Sequence, residues 1–106
     1  MIIYFSPECE DCMEFTKELL SRINEFKNVS IAMITFLPTE TVSQFVKNYN
    51  VNAYPNIYVG TEGTLFFVRK YYNIQQLPFL AIYNKNGDLI KIYNQEINLN
   101  DVLKNL

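Results

Sequence analysis

The sequence predicts an α/β domain with a mixed sheet and helices on both of its faces. Three observations predict it. Short apolar runs alternate with amphipathic helical patterns along most of the chain. The alternation then gives way to two apolar runs joined by an Asn-Gly turn, the signature of an antiparallel hairpin. The chain has 106 residues, 49% of them apolar and 19% charged, which is enough for one core without staples. A single domain spanning residues 1–106 is expected.

The elements follow in order. Ile2 to Phe5 is a continuous apolar run, as in a strand buried on both faces. Ser6-Pro7-Glu8 ends it, because Pro7 has no N–H for a ladder. Cys12, Phe15, Leu19, Ile23 and Phe26 then recur at helical spacing, with Glu14, Lys17, Glu18, Arg22 and Glu25 opposite, predicting a helix of about four turns. Val29 to Phe36 reads as a second buried strand, ended by Pro38. Thr41 and Gln44 have capping-box spacing ahead of Val42, Phe45, Val46 and Tyr49, a second helix. Tyr54 to Val59 is a strand weakened by Pro55, and Gly60 and Gly63 bracket a turn. Leu65, Val68 and Tyr72 suggest a short third helix. Pro78 opens the strand Phe79–Tyr83, Asn84-Lys85-Asn86-Gly87-Asp88 turns it, and Leu89 to Tyr93 returns. Asn98 or Asn100 caps a last helix carrying Leu99, Val102, Leu103 and Leu106.

Chemistry concentrates in one place. The chain has two cysteines, Cys9 and Cys12, separated by Glu10 and Asp11. Two cysteines fall three apart in roughly one random placement in fifty. The pair also sits at a strand-to-helix junction, where a helical turn puts both thiols on one face and the helix N-terminus favours a thiolate. There is no histidine, which removes His-based acid–base chemistry, Cys-His nucleophile systems and His-ligated metals. A formal charge of −2 gives no electrostatic case for nucleic acid. No apolar stretch reaches the length of a membrane span. The chain enters its first strand with no polar lead-in, so a longer native chain is expected. No cofactor is called for.

The run Phe5-Ser6-Pro7-Glu8-Cys9-Glu10-Asp11-Cys12, the stretch Tyr72-Asn73-Ile74-Gln75-Gln76-Leu77-Pro78-Phe79 and the Asn84–Asp88 hairpin together resemble the thioredoxin-fold superfamily over essentially the whole chain. The extra helix, strand and helix between Val42 and Tyr72 resembles the insertion of its TlpA/ResA-like (redoxin) branch. The resemblance implies a three-layer α/β/α domain with that inserted segment. It implies thiol–disulfide oxidoreductase activity, with Cys9 as the exposed nucleophile and Cys12 as the buried resolving thiol. It further implies a cis Pro78 beside the pair, and a Leu77 backbone that pairs with a bound substrate strand. The implied partners are a protein disulfide or dithiol and an upstream redox donor. A monomer and a periplasmic or other extracytoplasmic setting are expected.

Two departures from the family stand out. Thioredoxins place a buried Asp six residues before the first Cys, to help move the resolving thiol's proton. Here that position is Ile3, and Glu8, Glu10 and Glu40 are the remaining choices of proton acceptor. The residues between the cysteines are also two acids, where neutral or basic ones are usual. A carboxylate about 7 Å from the Cys9 sulfur, at an effective dielectric of about 40, opposes its thiolate by roughly 1.2 kcal/mol. The helix dipole favours the thiolate by about 0.3–1 kcal/mol. Glu8, Glu10 and Asp11 are thus expected to tune the pair toward a reductant, although the two acids between the cysteines also simply suit a first helical turn.

Other readings weigh less. A static disulfide in a non-catalytic binding module is the main alternative. Zinc needs four ligands and one CxxC offers two. Peroxide reduction would use Ser6 by spacing, but needs an arginine near Cys9, and only Arg22 and Arg69 exist.

Overall fold

The computed structural model describes residues 1–106. The first apolar run becomes β1 (Ile2–Tyr4), the middle strand of a five-stranded sheet. On one side of it lie β2 (Ile31–Thr35) and, at the edge, β3 (Ile57–Thr61), both parallel to it. On the other side lie β4 (Phe79–Tyr83), antiparallel to β1, and the edge strand β5 (Leu89–Asn94). Side chains alternate across the sheet, so the inner strands β1, β2 and β4 feed two cores.

The larger core holds Ile3, Phe5, Ile31, Met33, Leu80 and Ile82 from the strands. It is covered by α1 (Glu10–Ser21) through Phe15 and Leu19, α2 (Thr39–Asn48) through Phe45, and α4 (Leu99–Lys104) through Leu99 and Val102. The β1-α1-β2-α2-β3 path steps outward in one direction. Right-handed crossovers therefore put α1 and α2 on the same face. The smaller core holds Tyr4, Ile74, Phe79 and Ala81 and is covered only by α3 (Phe67–Tyr71), through Val68. The three layers and the inserted helix–strand–helix segment are present, but the second helical layer is thin.

Several local expectations shift. The stripe expected as one helix breaks at Arg22, where φ is −116°. Ile23–Phe26 continues as a tight 3-10 turn that still buries Phe26. The Thr41–Gln44 capping box is not formed. Helix α2 begins earlier, directly after Pro38, and Gln44 donates to Asn48 instead. β3 starts after Pro55 and runs through Gly60. Asn56 anchors its entry by donating to the Phe26 and Val29 carbonyls. The hairpin turns with positive φ at Gly87 alone, so it is a type I turn closed by a left-handed Gly, not the mirror-image two-residue turn. Asn84 Oδ1 accepts from the Asn86 and Asp88 amides, and β5 carries a bulge near its start. Asn98, not Asn100, caps α4.

Candidate active site

The chain leaves the sheet after Phe5, whose N–H still pairs with the Ile34 carbonyl at 3.0 Å. Ser6 turns it. The Ser6 hydroxyl is buried and accepts the Glu8 N–H at 3.1 Å, while the Ser6 carbonyl accepts the Cys9 N–H at 3.0 Å. This tight loop delivers Cys9 to the N-cap of α1 in extended conformation. Its sulfur takes the place of the usual capping oxygen and accepts the Cys12 N–H at 3.2 Å. Its carbonyl accepts the Met13 N–H at 3.1 Å.

The two thiols are free and unequal. Cys9 is half-buried and packs against the edge of the larger core. Cys12 is fully buried within it. Burial pushes the Cys12 thiol up to about 12, helped by its hydrogen bond to Cys9 and by the charges of Cys9 and Asp11. The one opposing influence is the Ser6 backbone, which favours the thiolate. Thr16 Oγ1 ties off the Cys12 carbonyl at 2.8 Å.

Pro78 stands next to this junction. Tyr4 pairs with Phe79 across the β1–β4 ladder, which brings Pro78 alongside Phe5 at the strand end. Pro78 is buried, and the Leu77–Pro78 peptide bond is cis. The Pro78 carbonyl accepts the Gln95 N–H at 2.7 Å. Leu77 is half-buried and packs against both cores, sharing the larger one with the two cysteines. Beyond them a groove of about 610 Å³ runs between α1 and the β5–α4 loop. Asp11, Glu14, Lys17 and Glu18 line one side, and Gln95, Glu96 and Ile97 the other.

Glu8, Glu10 and Asp11 are all exposed to water, as is Glu40. None is a buried acid beside Cys12, and Ile3 is fully buried where such an acid would sit. Thr35, at the end of β2 on the Cys12 face of the sheet, has a buried hydroxyl with no hydrogen-bond partner. Arg22 pairs with Glu25 at 2.7 Å, and the Arg69 guanidinium lies over the Phe36 and Phe66 rings, so both arginines are engaged elsewhere. The sequence reading did not foresee the bonds of Ser6, whose hydroxyl accepts from the Glu8 amide in the loop before α1.

No protein-family model and no curated relative matches the chain. Solved structures do. A candidate thioredoxin from Neisseria meningitidis, solved in solution, superposes with a TM-score of 0.79 at 21% identity, over 97% of this chain and 68% of that one. The exposed lipoprotein thioredoxin of Streptococcus pneumoniae gives 0.62 at 16% identity, over 99% of this chain and 82% of that one. The N-terminal domain of PilB from Neisseria gonorrhoeae gives 0.65 at 23% identity, over 96% and 70%. Likeness of this degree speaks to architecture, and with the sheet order and the helix placement it makes the chain a thioredoxin-fold protein.

Proposed function

We propose that the chain is a thiol–disulfide oxidoreductase that reduces protein disulfides through Cys9 and Cys12. The observation that carries this reading is the inequality of the two thiols, one reachable at a helix N-cap and one buried behind it. The Cys9 thiolate attacks a partner disulfide, forming a mixed disulfide and releasing one partner thiolate. The Cys12 thiolate then attacks the Cys9 sulfur, closing the Cys9–Cys12 disulfide and releasing the second partner thiolate. Two electrons pass to the partner, and an upstream dithiol donor restores the pair.

Leu77 and Pro78 supply the docking edge for an extended partner segment, and the carboxylates at Glu8, Glu10 and Asp11 bias the pair toward reduction. Each acid next to the sulfurs disfavours a thiolate, and a destabilised thiolate makes the dithiol a better reductant. The inserted segment supports a TlpA/ResA-like assignment, with residues 1–106 acting as one monomeric unit in an extracytoplasmic setting.

The test is alkylation of the reduced protein with iodoacetamide across pH, repeated with Cys9→Ser and Cys12→Ser. One fast thiol that disappears in Cys9→Ser, together with a mixed disulfide trapped by Cys12→Ser, is the expected result. Equal and sluggish reactivity at both positions would instead mark a static disulfide in a binding module.

A further inference from the structure

The helices on the two sides of the sheet carry opposite charge. On the thiol side, α1 holds Glu10, Asp11, Glu14 and Glu18 against Lys17 alone. On the other side, residues 63–87 hold Arg69, Lys70 and Lys85 and none of the chain's eleven acids. Around α3 this positive stretch is also the most exposed apolar one, with Leu65, Phe67 and Tyr71 each at least 70% exposed. We propose that the aromatic and basic ridge around α3 docks the protein on an anionic phospholipid surface.

The apolar side chains project together. Phe67 and Tyr71 lie one helical turn apart with their rings stacked at 6.5 Å between centroids, and Leu65 stands in the tight turn that leads into the helix. Such groups are stabilised at the boundary between headgroups and acyl chains, where a tyrosine ring can keep its hydroxyl wet. The cations lie among them. Lys70 is exposed beside Tyr71, and the Arg69 guanidinium is held over the Phe36 and Phe66 rings, 5.4 and 5.7 Å from their centroids. Glu62, the nearest acid in sequence, is turned inward to the Tyr4 hydroxyl and the Val68 amide. A five-residue helix is far too short to span a bilayer, so the contact is interfacial. Charge also separates the possible occupants. A second copy seated symmetrically on the ridge would set Arg69 and Lys70 against their own counterparts. An anionic surface meets them with opposite charge and repels the acidic α1, which turns Cys9 and Cys12 away from the lipid. Side chains that project this far suit a fluid surface, which closes around them, better than a protein partner, which would need matching pockets.

The test is co-sedimentation of the full chain at pH 7 with vesicles of phosphatidylcholine alone, or of equal parts phosphatidylcholine and phosphatidylglycerol. Binding to the mixed vesicles, little to the neutral ones, and release by added salt are expected. One cation near a charged bilayer is worth roughly a fivefold change in partitioning, so Lys70→Glu, which moves the charge by two, is expected to weaken binding about twenty- to thirtyfold. Phe67→Ser with Tyr71→Ser is expected to abolish it. Lys70→Glu alters an exposed side chain outside both cores, so the comparison stands even if the double variant does not fold. No binding to the mixed vesicles, equal binding to both kinds, or wild-type binding by Lys70→Glu overturns the proposal. If a chain that ignores the vesicles runs as a dimer in gel filtration, and the double variant splits that dimer, the face belongs to a second copy instead.

Discussion

Of the two thiols, Cys12 has the more lopsided environment. Burial, the Cys9 sulfur and the Asp11 charge all act to keep its proton, and the Ser6 backbone opposes them. Asp11→Asn removes one of the contributions that raise the thiol. In a Cys9→Ser background the pH at which Cys12 alkylates is therefore expected to fall relative to Cys9→Ser alone, measured by iodoacetamide rates from pH 7 to 11. No change would mean that solvent screens the exposed carboxylate completely. The redox consequence has the same sign. Replacing both acids, as Glu10→Gln with Asp11→Asn, stabilises the dithiol form and makes the pair more oxidising. Exposure limits the effect to about 10–30 mV, measured against a glutathione buffer. A shift toward a stronger reductant would contradict the tuning assigned to these acids.

At the scale of elements, one stitch holds the inserted segment to the sheet. The Tyr4 hydroxyl, rising from β1, donates to Glu62 at 2.6 Å, and the other Glu62 oxygen accepts the Val68 N–H at 2.8 Å, at the start of α3. Burial pushes the Glu62 carboxyl upward, but the Tyr4 hydroxyl and the Val68, Arg69 and Phe67 amides outweigh it, so the group stays below its ordinary range. Stability from such a group is complete above its unfolded value and is lost as pH falls through the folded one. Tyr4→Phe is expected to cost about 1–2 kcal/mol at pH 7, with the gap from wild type narrowing by pH 3, as read by urea unfolding at both values. A cost independent of pH would point to packing of the ring instead. Nothing in the sequence announced this stitch, because Tyr4 and Glu62 are 58 residues apart and meet only through the sheet. What the sequence did announce were elements set by local periodicity. Phe15 and Leu19 marked α1, Phe45 marked α2, and Leu99 and Val102 marked α4, and all five are buried. Local signals erred where a neighbour intervened. Pro38 set the start of α2 ahead of the Thr41–Gln44 box, and the turn back toward β2 tightened Ile23–Phe26 out of the α-helix. The site was legible in part. Cys9 and Cys12 could be read as a pair from spacing and placement, and Leu77 and Pro78 only by resemblance. The bonds made by Ser6 depend on a loop geometry that spacing alone does not encode.

Across the whole molecule the two faces of the sheet are treated differently. Three helices bury the face that carries the thiols, while α3, five residues long, shields only part of the other. The strand register lines up Tyr58, Ala32, Ile2, Ala81 and Ile92 in one row on that second face, and Tyr58 and Ile92 at its ends are exposed. Leu65, Phe67 and Tyr71 stand out beside α3, each at least 70% exposed. An apolar groove of about 390 Å³ between α3 and the sheet, lined by Ile2, Phe67, Val68, Tyr71, Tyr72 and Tyr83, joins them. A monomer seldom shows a contiguous apolar patch beyond about 300–600 Å², and charge repulsion is the remaining barrier to association. That barrier is low here, since the net charge is −2 and the sequence pI is about 5.0. Solubility is therefore expected to pass through a minimum near pH 5, and Phe67→Ser with Tyr71→Ser is expected to make that minimum shallower. The pair should change unfolding free energy by no more than about 0.5 kcal/mol per site, because side chains already in water have little burial to lose. Reduction of 5,5′-dithiobis(2-nitrobenzoate) by the reduced protein should keep its wild-type rate, because the thiols lie under the opposite face of the sheet. Turbidity between pH 4 and 8, urea unfolding and stopped-flow release of nitrothiobenzoate read these outcomes. An unchanged solubility minimum in the double variant would mean that charge alone governs association, and a slowed exchange reaction would show the two faces to be coupled through the sheet.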